Sequence, residues 1–139
     1  MDLSSLLDIS LDQLADLPEF KQYSPGAHRV KIVFKAKEVN KHPAVEIKFT
    51  LVETCELVDP ESATCEPGTE CSVMYLLDNE FGQGNFKSFM APICAHFGEN
   101  NLSKAVEAAQ GMEIVIVTDL RKDKNDPNKQ YITVVSVVV

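Results

Sequence analysis

The sequence has no tryptophan, and seven Phe and three Tyr are its only other aromatic side chains in 139 residues. A ligand held mainly by stacking therefore finds few surfaces to rest on. No Lys or Arg occurs before Lys21, which argues against an export signal, since those begin with a basic stretch. No apolar run approaches the roughly 20 residues needed to cross a bilayer. No membrane partner is expected, and the chain should stay in the cytoplasm where it is made. There is no CxxC pair: Cys55, Cys65, Cys71 and Cys94 have nine, five and twenty-two residues between them, and His28, His42 and His96 are scattered. A structural zinc site normally shows close ligand pairs, so none is expected. Cys71 and Cys94 lie in apolar runs and read as small buried hydrophobes. Cys55 and Cys65 flank an acidic loop and are expected as reduced thiols. GxSxG, P-loop and HExxH patterns are missing. Asp78-Asn79-Glu80 reads as an acidic surface loop rather than a Mg²⁺ site. Gly82-Gln83-Gly84 lacks the third glycine of a dinucleotide site and reads as a flexible turn. The chain is expected to be no enzyme and to carry no cofactor.

What is present is charge, unevenly spread. The net charge is −8, which looks wrong for a nucleic-acid binder until its distribution is examined. Residues 1–24 hold five acids against Lys21, and residues 53–80 hold eight acids and no base. Residues 26–52 hold Arg29, Lys31, Lys35, Lys37, Lys41 and Lys48 against Glu38 and Glu46. Residues 121–131 hold Arg121, Lys122, Lys124 and Lys129 against Asp123 and Asp126. Ten of the thirteen bases thus fall in two short segments, and a local basic face matters more than the total for steering a phosphate backbone. Ordinary solvated strand faces are the plainer reading of the same pattern.

A chain of this length fits one domain. Its first 25 residues form a distinct acidic, leucine-rich unit. There Leu3, Leu6, Leu7, Leu14 and Leu17 include i, i+3 and i, i+4 pairs that predict short amphipathic helical turns. Pro18 ends that pattern, and Ser24-Pro25-Gly26 is a turn signal. This segment either packs on the domain that follows, docks on a replication or recombination partner, or covers the basic groove. From Ala27 the period becomes two. Val30, Ile32, Phe34 and Ala36 alternate with Arg29, Lys31, Val33, Lys35 and Lys37, which predicts a half-buried strand with a cationic outer face. A second strand follows over Val45–Leu51, the two forming a long hairpin. Glu53–Glu70 reads as a long loop, Cys71–Leu77 as a third strand and Asp78–Gly84 as a loop. A helix over Phe86–Phe97 is expected to kink or stop at Pro92, and Leu102–Ala109 reads as a second helix ended by Gly111. Met112–Leu120 and Gln130–Val139 are the last two strands, joined by a polar loop. Strand, strand, strand, helix, strand, strand is the order of an all-β, five-stranded Greek-key barrel of the oligonucleotide/oligosaccharide-binding (OB) type over residues 26–139. An open α+β sheet with helices on one face is the alternative, and the very long first hairpin favours the barrel.

The run LLDNEFGQGNFKSF (Leu76–Phe89), a short helix, a Gly111-led strand and the basic loop RKDKNDPNKQY (Arg121–Tyr131) resemble the small OB-type single-stranded-DNA-binding proteins of bacteriophages. The resemblance covers roughly residues 26–138 and lies in the order of elements, the helix position and the basic loop. It implies sequence-tolerant binding of single strands in phage DNA replication or recombination, in the host cytoplasm. The chain departs from many such proteins in ending on Val137-Val138-Val139 rather than an acidic tail. Single-strand binding needs a cationic groove and exposed π-faces. The expected groove residues are Arg29, Lys31, Lys35, Lys37 and Lys48, with Lys41 at the hairpin tip. Arg121, Lys122, Lys124 and Lys129 are expected to converge on them, because the loops after the first and fourth strands of an OB fold flank its binding face. Tyr75 and Tyr131 are the expected stacking residues, Phe34 and Phe49 read as core, and Phe86, Phe89 and Phe97 as helix anchors. So little stacking surface predicts weak affinity per chain, offset by oligomerisation or cooperativity along the strand. The contrasting expectation is an acidic OB-type protein-interaction module or nucleic-acid mimic that binds no DNA.

Overall fold

In the computed structural model, residues 22–122 and 130–139 are described, with Ser4, Leu7, Asp8 and Asn125. The alternation that begins at Gly26 produces β1 (Gly26–Val39), whose residues Val30, Ile32 and Phe34 turn inward and whose lysines turn out. Asn40 and Lys41, both with positive φ, form the two-residue turn into β2 (His42–Leu57), the tight connection that suits a right-twisted hairpin. The partners run from Val39 opposite His42 to Gly26 opposite Leu57, with irregularities near Ala27 and Arg29. β3 (Glu70–Leu76) pairs with β2, β4 (Glu113–Lys122) with the first part of β1, and β5 (Gln130–Val138) with β4. All pairings are antiparallel and the sheet order is β3-β2-β1-β4-β5. The protein is therefore mostly β, a five-stranded antiparallel sheet whose edges are β3 and β5.

Two helices lie between β3 and β4: α1 (Glu80–Phe97) and α2 (Leu102–Ala109). α1 buries Phe86, Phe89, Met90 and Ile93. The Phe89 ring meets Phe34 and Phe49 of the inner sheet face at centroid distances of 6.4 and 6.1 Å. Removing side chains of this size from water stabilises the fold by about 1.5–3 kcal/mol each, which fixes the helix on the sheet. α2 buries only Ala105 and Ala109. Immediately after it, the Gln110 side chain accepts from the Phe34 amide at 2.8 Å and donates to the Phe34 carbonyl at 3.0 Å. It acts as a one-residue strand where β4 has left β1.

Several boundaries differ from those read in the sequence. β2 continues through Glu53–Leu57, which was expected to be loop, and β4 takes in Arg121 and Lys122. α1 starts six residues before Phe86, and Pro92 lies inside it rather than ending it. The early start has a local cause. The Asn79 side chain accepts from the Gly82 amide at 2.7 Å and caps the helix, and Gly82 packs against the Leu76 backbone. The expected N-terminal helical turns lie outside the described residues, apart from Ser4, Leu7 and Asp8.

Candidate nucleic-acid interface

Because opposite partners in an antiparallel sheet share a face, the register of β1, β2 and β3 writes the outer surface as four rows. Lys31 faces Thr50, which faces Glu70. Val33 faces Lys48, then Ser72. Lys35 faces Glu46, then Met74. Lys37 faces Ala44, then Leu76. Lys31, Lys35 and Lys37 are exposed and Lys48 is half-buried, so the hairpin brings these four expected groove residues onto one face. Val33, 41% exposed, lies among them, and Met74, 43% exposed, stands on the edge strand beside Glu46.

That field is partly compensated within the molecule. Arg29 Nη1 lies 2.8 Å from Glu53 Oε1, and Lys37 Nζ lies 3.8 Å from Glu46 Oε1. The Glu46 oxygen is buried and has no hydrogen-bond partner. Glu113 stands opposite Lys31 on the β4 side. Of these acids, Glu53 pairs in the open, at a worth of at most about 1 kcal/mol, and a phosphate can displace it. The acids nonetheless remove part of the net positive charge the sequence pattern promised.

The second basic segment arrives from the other side. Arg121 and Tyr131 are opposite each other on β4 and β5. Both line a cleft of about 700 Å³ between the β3 and β5 edges, together with Ser72–Tyr75 and, from α1, Asn85, Ser88 and Phe89. Ser72 is the β3 partner of Lys48, so Arg121 is brought to the edge strand of the basic face. Lys122 is exposed at the end of β4. Lys41 sits at the hairpin turn, at the far end of β1 from its pairing with β4. Lys124 and Lys129 lie outside the described residues.

The two tyrosines differ. Tyr131 is 42% exposed at the cleft mouth. Tyr75 turns inward, its ring 6.0 Å from Phe86 and 6.2 Å from Phe89, and burial pushes its hydroxyl pKa up to about 12. It borders the cleft but is held as a core residue, as its register opposite inward-facing Val45 requires. Phe34, Phe49, Phe86 and Phe89 are buried as expected, whereas Phe97 is 39% exposed. The aromatic that sequence reading passed over is Phe81, 87% exposed in the first turn of α1. The only signal for it was an aromatic inside a glycine-rich run.

The loop Asp78–Glu80 has structural duties. Asp78 meets His42 Nδ1 through its carboxylate and Asn79 caps α1. No cluster of three or more His, Cys, Asp or Glu able to hold a metal occurs among the described residues. None of the four cysteines is in a disulfide, and burial pushes the Cys71 thiol up to about 11. No described helix is long and apolar enough to cross a membrane. No protein-family model matches the chain, and none of the curated proteins matches it.

Proposed function

We propose that this chain binds single-stranded DNA without sequence preference, on an OB-type barrel, and acts in phage DNA replication or recombination. The observation that carries the reading is the outer face of β1, β2 and β3, where exposed Lys31, Lys35 and Lys37 and half-buried Lys48 flank Val33, with Ser72 and Met74 on the neighbouring edge strand. A flexible single strand is suited to such a face, because its phosphates need cations and its bases tolerate any apolar step. The sheet order β3-β2-β1-β4-β5 is that of a five-stranded Greek-key barrel opened between its third and fifth strands. The shared cleft of those two strands and the helices between β3 and β4 support the same reading. The resemblance to the phage proteins supplies the biological setting. A protein-interaction module or nucleic-acid mimic is favoured instead by the exposed acids Asp59, Glu61 and Glu66 of the β2–β3 connection and Glu70 at the start of β3.

The test is a titration of a labelled oligothymidylate, single-stranded against duplex, at several salt concentrations. Each neutralised phosphate contributes about −0.7 to the log–log salt slope on a single strand, so four or five contacts give roughly −3. Replacing Lys35 and Lys37 together by Ala should make that slope shallower by about one unit. Equal binding of duplex, or none of either, removes the reading; an unchanged slope removes those two lysines from the site.

A further inference from the structure

Among the described aromatic residues, Tyr23, Phe34, Phe49, Phe86 and Phe89 are buried and Tyr75 is half-buried, packed on Phe86 and Phe89. Phe97 closes against His96 at the far end of α1, ring centroids 4.9 Å apart. Phe81 is the most exposed of them all. Leaving a phenyl ring in water forfeits about 1.5–3 kcal/mol of burial. An exposed ring on a rigid support is therefore a feature that asks for an occupant.

The support is rigid. Asn79 caps the helix through the Gly82 amide, and the Gln83 side chain donates to the Leu77 carbonyl at 2.6 Å. Gly82 lies so close to Leu76 that nothing larger fits between them. The backbone on both sides of Phe81 is thus fixed, while its ring stands in water. The same segment is stitched to the start of the basic hairpin: the Leu77 amide donates to the Pro43 carbonyl at 2.9 Å, and Asp78 engages His42. Leu76 is itself in the row of Ala44 and Lys37. Phe81 therefore lies in the segment that follows β3 and is tied to the start of β2, next to the hairpin turn. Tyr131 and Arg121 line the cleft whose β3 wall is Ser72 to Tyr75. The seven residues of β3 span roughly 20 Å, a length that several nucleotides cover.

We propose that Phe81 is a base-stacking residue that receives a nucleobase of a single strand lying along the outer face of β3. The inference rests on the single-strand reading and deepens it. Phosphates meet Lys31, Lys35, Lys37 and Lys48, bases pass over Met74, and the strand is gripped where a base lies on Phe81. Because any base has a π-face, this contact adds affinity without sequence preference.

The chain has no tryptophan, so Phe81→Trp installs a single indole at this position. Titrating that variant with an oligothymidylate of about 16 nucleotides should quench its fluorescence in step with the anisotropy of a labelled strand. Phe81→Ala should weaken binding about tenfold, since one stacked base is worth about 1–3 kcal/mol. Phe81→Tyr should restore it, and the salt slope should stay unchanged because no charge is lost. The side chain is exposed, so all three variants fold. If the wild-type chain binds the strand, but Phe81→Ala binds within about twofold of it and the indole is not quenched, the stacking role is overturned and the single-strand reading stands. If the wild-type chain does not bind, both fall together.

Discussion

His28 is 2% exposed and makes its hydrogen bonds as a neutral ring. Nε2 lies 2.7 Å from the Ser24 carbonyl, which can only accept, so Nε2 carries the proton. Nδ1, 3.1 Å from Thr54 Oγ1, then accepts from that hydroxyl. The Tyr23 ring, 5.2 Å away, closes one side. Burial holds the pKa of His28 below the ordinary histidine value. In the unfolded chain the ring takes a proton near pH 6.5, while in the folded protein it resists until lower pH. Folding stability is therefore level above about pH 6.5 and falls as pH drops through that value toward the depressed folded one. Urea midpoints followed from about pH 7.5 to about pH 5.5 should decline, and His28→Gln, which keeps one donor and one acceptor, should flatten the decline. A flat wild-type profile would place the ring in water. None of this was legible beforehand, because an isolated histidine in an alternating run shows neither its partners nor its depth.

At the scale of elements, legibility followed the strength of the side-chain period. The inward positions of β1 were plain because Val30, Ile32 and Phe34 alternate with charges over a whole strand. The far end of β2 was hidden because Glu53, Cys55 and Glu56 are exposed there and carry no apolar alternation; pairing to Gly26–Arg29 extends that strand, not its own composition. The start of α1 was hidden by its glycines, which read as a turn although they serve close packing. A Cβ on Gly82 would lie 1.7 Å from the Leu76 carbonyl oxygen, and backbone cannot move aside as a side-chain tip can. A Cβ on Gly84 meets nothing within 4 Å. Gly82→Ala should therefore cost about 1–3 kcal/mol or more by overpacking. Gly84→Ala, in the same helix, should gain up to about 1 kcal/mol from better helix propensity. Chemical denaturation of the two variants side by side checks this, and a Gly82→Ala as stable as wild type would mean that α1 does not rest on β3. The same blindness concealed Phe81, since a ring inside a supposed flexible turn gave no reason to be singled out.

For the whole molecule, the question left by the charge pattern is what an acidic, leucine-rich leader does when tethered to a basic face. The continuously described chain begins at residue 22, at an anchor. Tyr23 is 0% exposed, and its hydroxyl lies 2.6 Å from the Thr69 carbonyl and 3.1 Å from that of Phe49. Gln22 accepts from the Ile132 amide at 3.2 Å through its side chain. These contacts tie Gln22 and Tyr23 beside the start of β5, next to Tyr131 and the cleft it lines. Five acids on residues 2–20, against no base, are a local polyanion whose effective concentration at the face can reach the millimolar range. A weak attraction then suffices to compete with DNA. Deleting residues 2–20 leaves Gln22 and Tyr23 in place, so the thermal unfolding midpoint should hold. Single-strand affinity should rise several-fold at low salt and converge on the full-length value at high salt, where the Debye length shrinks to about 3 Å at 1 M and the competition is screened. A collapse of the unfolding midpoint would show that the leucines cover the sheet or helices of this same chain. Equal affinities at every salt would mean that the leader serves a partner protein and leaves the basic face alone.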